Sequence, residues 1–406
     1  MRTPHQQAAH NAVNALIFLI PLLSMVMGKT TLAGLLLLAL VGLAYRFAGW
    51  SPDTKTPLLV KALLVYAGVL TAVNFYHGVS WGAYHIPLAI VLATPFVWLI
   101  QSDGIEPEFA YWGAMGGALV GVVAAVETGG LDGVRSGGLF NPIIFGGFGL
   151  ILATVSLGAF WFKPRVISAP VWSLLVVLCA LAGMASSLLS GSKSGWIGMP
   201  ILLLLLWPIV RSLFRGRPKT SWAVAAVVAF VTAQVLWHGP IVGRVIDAFD
   251  GALAYFNGGG QVTEGSVGPR LELWRYGLSS ITEHPLMGLG RDGLVVDLHQ
   301  KALAGEYAPL LAKLQTMHNE FLDAWVTYGL FGFLATVGVY VSLFWQAHVA
   351  RRLGQHGIAT VAVGLGVVML GLGVGEIALP LKDLRNLFLF FVLLIAGQAL
   401  RKRDAM

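Results

Sequence analysis

The stretch that decides how this chain folds runs from about Trp237 to Glu320, and it contains VGPRLELW (267–274), GLGRDG (288–293) and the start of HNEFLDAW (318–325). It is the only long polar interval between apolar runs. Most side chains that could do chemistry lie in it or beside it. We therefore interpret the flanking sequence as a scaffold that holds this loop against a membrane.

Composition supports that interpretation. Of the 406 residues, 57% are hydrophobic and 11% are charged, whereas soluble domains carry roughly 25% charged residues. Only helices and closed barrels satisfy their backbone groups in lipid, and the apolar runs are continuous rather than alternating. The sequence thus predicts an all-α polytopic integral membrane protein with a single membrane domain over 1–406. The formal charge of +7 reflects loop-edge cations of a membrane protein, so we expect no nucleic-acid partner.

The apolar runs predict about twelve membrane spans. The first run continues into the next ones without a small-residue cleavage motif, so we expect no cleaved signal peptide. The predicted spans are 12–27, 31–49, 57–76, 84–100, 109–127, 142–162, 169–189, 195–213, 221–237, 318–346, 358–378 and 385–400.

Cations recur in alternate connections between the predicted spans. By the positive-inside rule these connections face the cytoplasm, and so do both termini. The loop 238–317 then faces the periplasm of a Gram-negative cell, and the protein lies in the inner membrane. The cations that set this orientation are Arg46, Lys55, Lys163, Arg165, Arg211, Arg215, Arg217, Lys219, Arg351, Arg352, Arg401, Lys402 and Arg403.

The loop 238–317 is long enough to carry structure of its own. Apolar residues recur at helical spacing in 241–256, which predicts an amphipathic helix on the bilayer surface. A glycine-rich joint follows over 257–268. Pro269 suits the first position of a helix running from Arg270 to about 281. A further helix is expected over 294–315, with a break near Gly305 or Pro309.

Arg270 and Trp274 lie four residues apart and so share one face of the predicted helix. A guanidinium beside an aromatic ring suits a diphosphate next to a sugar or an isoprenoid. The alternative interpretation is an interfacial anchor, because both residue types are common at membrane surfaces.

GLGRDG fits the pattern GxGxxG, but EHP precedes it where a nucleotide-binding fold requires a strand, so we reject a dinucleotide site. The motif is then a turn that presents Arg291 to an anion, or simply a glycine-rich turn with a solvated arginine.

His318 lies where the loop re-enters apolar sequence, in or near the first turn of the next helix. There the helix dipole favours a neutral ring that can accept a proton. Asn319 and Asp323 could orient the ring. The alternative is a histidine, or Glu320, that only caps the span.

Lys193, in SGSKSGW (190–196), falls on the same outer side as the loop, which runs against the charge bias and favours function. The alternative is a lysine that snorkels from a span end. Arg135 is a weaker candidate on that side. The sequence has no HExxH, no Asp-x-Asp and no histidine cluster, so we expect no metal and no cofactor.

In this order, SGSKSG, GPRLELW, GLGR and HNEFLDAWVTYGLFG resemble the O-antigen ligase and polymerase superfamily over about 186–345. The resemblance implies a GT-C-like, inverting, metal-independent glycosyltransferase. Its donor would be a glycan on undecaprenyl diphosphate and, in the ligase branch, its acceptor would be lipid A core oligosaccharide, on the periplasmic face. The family usually has arginine in place of Lys193.

Carried onto this chain, the resemblance implies that Arg270 and Arg291, with Lys193, hold the donor diphosphate and stabilise the charge that grows on it. His318 would take the proton of the acceptor hydroxyl. Trp274, Asn319 and Glu320 would support the site.

Three other functions are compatible with the sequence. An O-antigen polymerase or a protein O-oligosaccharyltransferase would use the same donor with another acceptor. A lipid or anion transporter would carry ionisable groups inside its spans, and Glu376 is the main such group in this chain.

Overall fold

A computed structural model describes residues 4–27, 29–50, 56–103, 105–132, 134–214, 240–258 and 267–401. In these ranges the regular structure is helical, without a strand. The helices are α1 (Pro4–Leu23), α2 (Lys29–Phe47), α3 (Leu58–Tyr76), α4 (His85–Ala93), α5 (Phe96–Gln101), α6 (Glu108–Glu127), α7 (Pro142–Ala159), α8 (Ala169–Ser190), α9 (Lys193–Trp196), α10 (Met199–Leu213), α11 (Pro240–Asn257), α12 (Gly268–Glu283), α13 (Arg291–Leu303), α14 (Glu320–Arg352), α15 (His356–Gly375) and α16 (Lys382–Leu400).

Nine helical segments in the described ranges are long and apolar enough to cross a membrane. The predicted class, a polytopic helical membrane protein, is confirmed. The number twelve stays a prediction, because α1 is not among the nine, α10 is shorter than a typical span, and the predicted span 221–237 lies outside the described residues. The predicted span 84–100 consists of a 3₁₀ turn, α4 and α5, which meet at Thr94 and Pro95.

The centre of the bundle is built from α7, α8, α15 and α16, and most of α7 and α16 is buried. Small residues allow close packing there. A Cβ on Gly149 would lie 2.6 Å from the carbonyl oxygen of Gly183, and one on Gly183 would lie 2.5 Å from that of Gly149. In lipid, where apolar surface alone does not drive helices together, such close backbone approach supplies the packing.

Helix α14 reverses direction at Gly329, where φ is 67° and ψ is −165°. The Tyr340 hydroxyl donates to Glu320 Oε2 at 3.0 Å, although 20 helical residues would separate these positions by roughly 30 Å in a straight helix. The rings of Trp325 and Phe333 lie 4.7 Å apart for the same reason. The prediction of one continuous span over 318–346 was therefore wrong: 320–328 packs against the helix that follows the reversal.

The GLGR turn packs against the point where α14 reverses direction. The amides of Leu289 and Gly290 donate to the carbonyls of Val326 and Thr327, each at 2.9 Å. These carbonyls lack helical partners because the helix stops at Gly329. In return, the Leu330 amide donates to the Pro285 carbonyl at 2.9 Å. The GLGR turn and the reversal of α14 at Gly329 are thus joined by hydrogen bonds in both directions and form one interlocked structure.

The described part of the loop 238–317 has a small core of its own, formed by α12, α13 and a 3₁₀ turn at Pro309–Lys313. Leu273, Tyr276, Leu294 and Leu298 are buried in it. The predicted helix after Pro269 and the break near Gly305 are confirmed.

Helix α11 matches the predicted amphipathic helix over 241–256, and it leaves Ile246, Phe249 and Leu253 exposed. Its placement on a bilayer stays a prediction. Most of the predicted glycine-rich joint, 259–266, lies outside the described residues.

Candidate functional site

Three cations that the sequence places far apart line one pocket of about 290 Å³: Arg135, Lys193 and Arg270. Their segments are the loop before α7, the start of α9 and the first turn of α12. The remaining lining includes Gly191, Ser192 and Ser194. Such a concentration of positive charge beside small polar residues suits a multivalent anion.

Local backbone geometry puts two of these cations in place. Helix α8 ends at Gly191, whose φ of 63° gives the left-handed cap that turns the chain into α9 and Lys193. The amide of Ser136 donates to the Leu189 carbonyl at 3.2 Å, which fixes the loop carrying Arg135 against the end of α8. The Ser192 hydroxyl is buried and has no hydrogen-bond partner among the described residues, so the pocket has a polar group available for a ligand.

Arg270 reaches the pocket from α12, and Trp274 one turn later fixes that helix. The Trp274 indole N–H donates to the Met317 carbonyl at 3.2 Å. Arg270 is thereby tied to the segment that leads directly into His318. The predicted contact of the Trp274 ring with a sugar or an isoprenoid stays a prediction.

His318 is joined to Glu376. His318 Nδ1 lies 2.9 Å from Glu376 Oε1, and the carboxylate side chain is 7% exposed while the histidine side chain is 30% exposed. Because a carboxylate only accepts, Nδ1 is the donor in this bond, and in a neutral ring Nε2 is then the nitrogen that can accept a proton. The same arrangement in enzymes orients a histidine base.

Helix α14 begins at Glu320, two residues after His318, so His318 lies near the first turn of the helix rather than in it. Asn319 is the N-cap, and its side chain accepts from the amides of Phe321 and Leu322. His318 itself has a φ of 45° and is the only described residue other than glycine with positive φ. Its ring partner is Glu376 rather than Asn319 or Asp323.

The cation pocket and the histidine pair share a wall. Ser194 lines the pocket, and a Cβ on Gly375 would lie 2.5 Å from the Ser194 hydroxyl oxygen. Gly375 directly precedes Glu376. Together with the bond from Trp274 to Met317, this close packing brings both ends of the proposed site into one unit.

Arg291 is held away from that pocket by a buried carboxylate. Its Nη2 lies 2.6 Å from Asp323 Oδ2 and its Nη1 lies 3.3 Å from Asp323 Oδ1. Asp323 Oδ1 also accepts from the Met317 amide at 3.1 Å, and Arg291 Nη1 donates to the Gln315 carbonyl. In the structure, Arg291 therefore fixes the segment before His318.

Glu320 points into the bundle, where it is 3% exposed. It accepts from Tyr340 and from the amides of Ala378 and Leu379. These bonds join the start of α14 to the segment that follows Glu376.

Sequence reasoning did not assign Glu376 to the site and ranked Arg135 low. Glu376 is a carboxylate inside an apolar run, but a pairing across 58 residues with His318 leaves no local pattern in the sequence. Arg135 lies in a glycine-rich loop with no spacing relative to Arg270 that could reveal the shared pocket. Both became visible only through the fold.

Residues 178–337 match the protein family described as O-antigen ligase. An uncharacterized protein of Haemophilus influenzae is 23% identical over 289 residues, covering 70% of each chain. An O-antigen ligase of Escherichia coli is 27% identical over 175 residues, and this match covers 40% of the present chain and 41% of that protein. The family match and these relatives support the resemblance of the chain to the O-antigen ligase superfamily, a family of membrane glycosyltransferase-type enzymes.

Proposed function

We propose that this protein is an O-antigen ligase that transfers a glycan from undecaprenyl diphosphate to the lipid A core oligosaccharide. The observation that supports it most is the pocket in which Arg135, Lys193 and Arg270 converge. A diphosphate carries several negative charges, and cationic side chains can neutralise them without a metal.

In this proposal, Arg270 and Lys193 bind the donor diphosphate, and Arg135 adds charge at its edge. The forked guanidinium of Arg270 suits two phosphate oxygens at once, whereas Lys193 contributes a point charge. The buried Ser192 hydroxyl supplies a further donor. These contacts strengthen as the sugar–phosphate bond breaks, because the leaving diphosphate gains charge.

The transfer is a single displacement. An acceptor hydroxyl oxygen forms a bond to the anomeric carbon while the bond from that carbon to the diphosphate oxygen breaks, and the electron pair leaves with the diphosphate. The configuration is thereby inverted. His318 Nε2 takes the hydroxyl proton, and Glu376 holds the ring and stabilises the imidazolium through Nδ1.

Arg291 has a positioning role in this scheme. Both of its terminal nitrogens donate to Asp323, so two of the five guanidinium N–H groups and the positive charge are already paired within the protein. Its bonds instead hold the residues before His318. Direct contact with the diphosphate, which the family resemblance implies, belongs to the donor-bound state in this proposal.

The reaction takes place on the periplasmic face of the inner membrane, with both termini in the cytoplasm. The distribution of cations in the sequence supports that orientation. Both substrates are amphipathic, so the site has to open toward lipid as well as toward water, and a pocket beside span ends suits that requirement.

The test is a transfer assay with the purified full chain, glycan-linked undecaprenyl diphosphate, lipid A core and a chelator. We expect glycosylated lipid A core from the native protein and none from Arg270→Ala. Arg165→Ala is the matched control, because Arg165 is an exposed cation before α8, at the helix end opposite the pocket.

The outcomes separate the rival functions. A lengthened lipid-linked chain with untouched lipid A would indicate a polymerase, and a glycosylated acceptor protein would indicate a protein O-oligosaccharyltransferase. Loss of activity in Arg165→Ala as well would show that general charge, rather than the pocket, matters. Ion or lipid flux in liposomes without any transfer product would favour a transporter.

A further inference from the structure

A second cavity, of about 480 Å³, lies between α10, α14 and α15, beside Trp161 at the end of α7. Its volume falls in the range of small-molecule sites. The lining combines three basic side chains, Arg351, His348 and His356, with an apolar wall that includes Leu205, Phe344 and Val363. None of these residues takes part in the proposed transfer.

The cavity lies at the opposite end of the bundle from the proposed active site. Helix α15 begins at His356, which lines the cavity, and ends at Gly375, next to Glu376. Its 20 residues span roughly 30 Å. A ligand in this cavity could not contact His318.

The residue types around the cavity are those found at the headgroup level of a bilayer. Trp161 is 37% exposed and its ring lies 6.3 Å from that of His356. Trp345 is 54% exposed and its ring lies 5.7 Å from that of His348. Tryptophan is enriched at the level of lipid headgroups. The basic side chains therefore lie at headgroup level.

The apolar part of the cavity continues toward the hydrocarbon layer. Leu205 and Phe344 line it, and the neighbouring side chains Leu204 and Val341 are 71% and 60% exposed. Such exposed apolar side chains on membrane helices face acyl chains. A ligand with a polar head and a hydrocarbon tail would match both parts.

The positive charge of the cavity lining favours an anionic ligand. The cavity lining contains no acidic side chain, and within the described ranges Arg351, His348 and His356 form no ion pair. We propose that this cavity binds an anionic phospholipid of the surrounding membrane, with its phosphate at Arg351, His348 and His356 and its acyl chains along Leu205 and Phe344. By the charge distribution of the chain, this is the cytoplasmic leaflet.

Arg352 provides a matched control. It has the same charge and the same place in the last turn of α14 as Arg351, it is likewise exposed, and it does not line the cavity. Both arginines favour the helix end through the dipole, so a general effect of charge at that end would appear in both variants.

The experiment measures phospholipid retention by native mass spectrometry of the purified full chain, with phosphatidylglycerol or phosphatidylcholine added. We expect one phosphatidylglycerol to be retained by the native protein and by Arg352→Gln, and about fivefold weaker retention by Arg351→Gln, since one basic residue changes binding to anionic lipid by roughly that factor. Phosphatidylcholine should be retained weakly by all three. Equal melting temperatures of the two variants would show that both are folded.

Several results would overturn the proposal. Equal retention of phosphatidylglycerol by the two variants would remove Arg351 from the site, and equal retention of phosphatidylcholine would leave only an apolar groove. Competition by soluble glycerol phosphate would show an anion site that needs no acyl chain. A dimer that Phe344→Ala dissociates would show that a second copy occupies the groove.

A second variant, His348→Gln, should weaken retention of phosphatidylglycerol in the same direction as Arg351→Gln, and unchanged retention would count against the proposed headgroup contact.

Discussion

Glu376 accepts a hydrogen bond from His318 at 2.9 Å across 58 residues of sequence, and it does so from an almost buried position at the end of α15. The backbone of His318 is left-handed, with a φ of 45°, which costs about 1–3 kcal/mol for such a residue. The surrounding bonds at Met317 and Asn319 hold this conformation. A strained histidine fixed by a buried carboxylate supports the proposed role of His318 as a base.

We predict that Glu376→Gln slows transfer by roughly 10- to 100-fold with little change in KM for the donor, because the amide cannot stabilise the imidazolium as a carboxylate does. Glu376→Asp should recover part of the rate. In a His318→Ala background, Glu376→Gln should have almost no further effect, since Glu376 acts through the ring. Additive losses in the double variant would show instead that Glu376 has a separate structural role.

The interlock of the GLGR turn with the helix reversal predicts that Gly329→Ala and Gly288→Ala both unfold the region. Gly329 has a backbone conformation open essentially to glycine alone, and a Cβ there would collide with the Leu286 carbonyl. A Cβ on Gly288 would lie 2.6 Å from the Gly329 amide nitrogen. We expect a loss of roughly 3 kcal/mol or more for each, measured by thermal unfolding in detergent.

Two control glycines separate the causes. Gly305 has a φ of 80° but open space around its Cβ position, so Gly305→Ala measures the backbone penalty alone, about 1 kcal/mol. Gly338 is helical and also open, so Gly338→Ala should be neutral or stabilise slightly. If Gly329→Ala were no worse than Gly305→Ala, the interlock would contribute nothing beyond local strain.

The sequence was sufficient for those features that depend on local pattern. Continuous apolar runs predicted the membrane helices, and Pro269 predicted the start of the loop helix that carries Arg270. The reversal at Gly329 is not apparent from the sequence because 320–328 has a helical pattern that runs without proline or a turn motif into the span that follows it. Its signal, a glycine in a YGLFG string, does not differ from the many glycines of membrane helices.

The site could be predicted only in part, and for a physical reason. Cations on the outer loops were identified one by one, because charge at a span end is visible in sequence. That Arg135, Lys193 and Arg270 converge, whereas Arg291 pairs with Asp323, depends on the packing of distant helices. The buried carboxylates Asp323 and Glu376 pair with Arg291 and His318, and no sequence periodicity reveals such pairs.

The loop that carries α12 and α13 should lose structure in acid. Burial is the largest influence on the Glu272 carboxyl and raises its pKa, but hydrogen bonds from Arg275 and Tyr255 outweigh burial, so that the pKa lies below its ordinary value. A carboxyl with a lowered pKa stabilises the fold above the unfolded value, about 4.3, and this contribution is lost as the pH falls through the folded value.

We therefore expect hydrogen exchange in α12 and α13, corrected for the intrinsic effect of pH, to accelerate below about pH 4. Glu272→Gln should already show faster exchange at pH 7 and a flatter pH response. Glu306→Gln, which removes an exposed carboxylate of the same loop, should behave like the native protein. An unchanged pH response in Glu272→Gln would assign the acid sensitivity to another group.

Lys193 tests whether the shared pocket binds a diphosphate through charge or through geometry. We predict that Lys193→Gln raises the KM for the donor about tenfold or more, because a pocket facing several phosphate charges loses one cation. Lys193→Arg should keep or improve donor binding, since a guanidinium can contact two phosphate oxygens where the lysine contacts one. Arg165→Gln, at the far end of α8, should leave KM unchanged. If Lys193→Gln bound the donor as tightly as Arg165→Gln does, then Lys193 would be only an interfacial lysine, and the pocket would have to act through Arg135 and Arg270 alone.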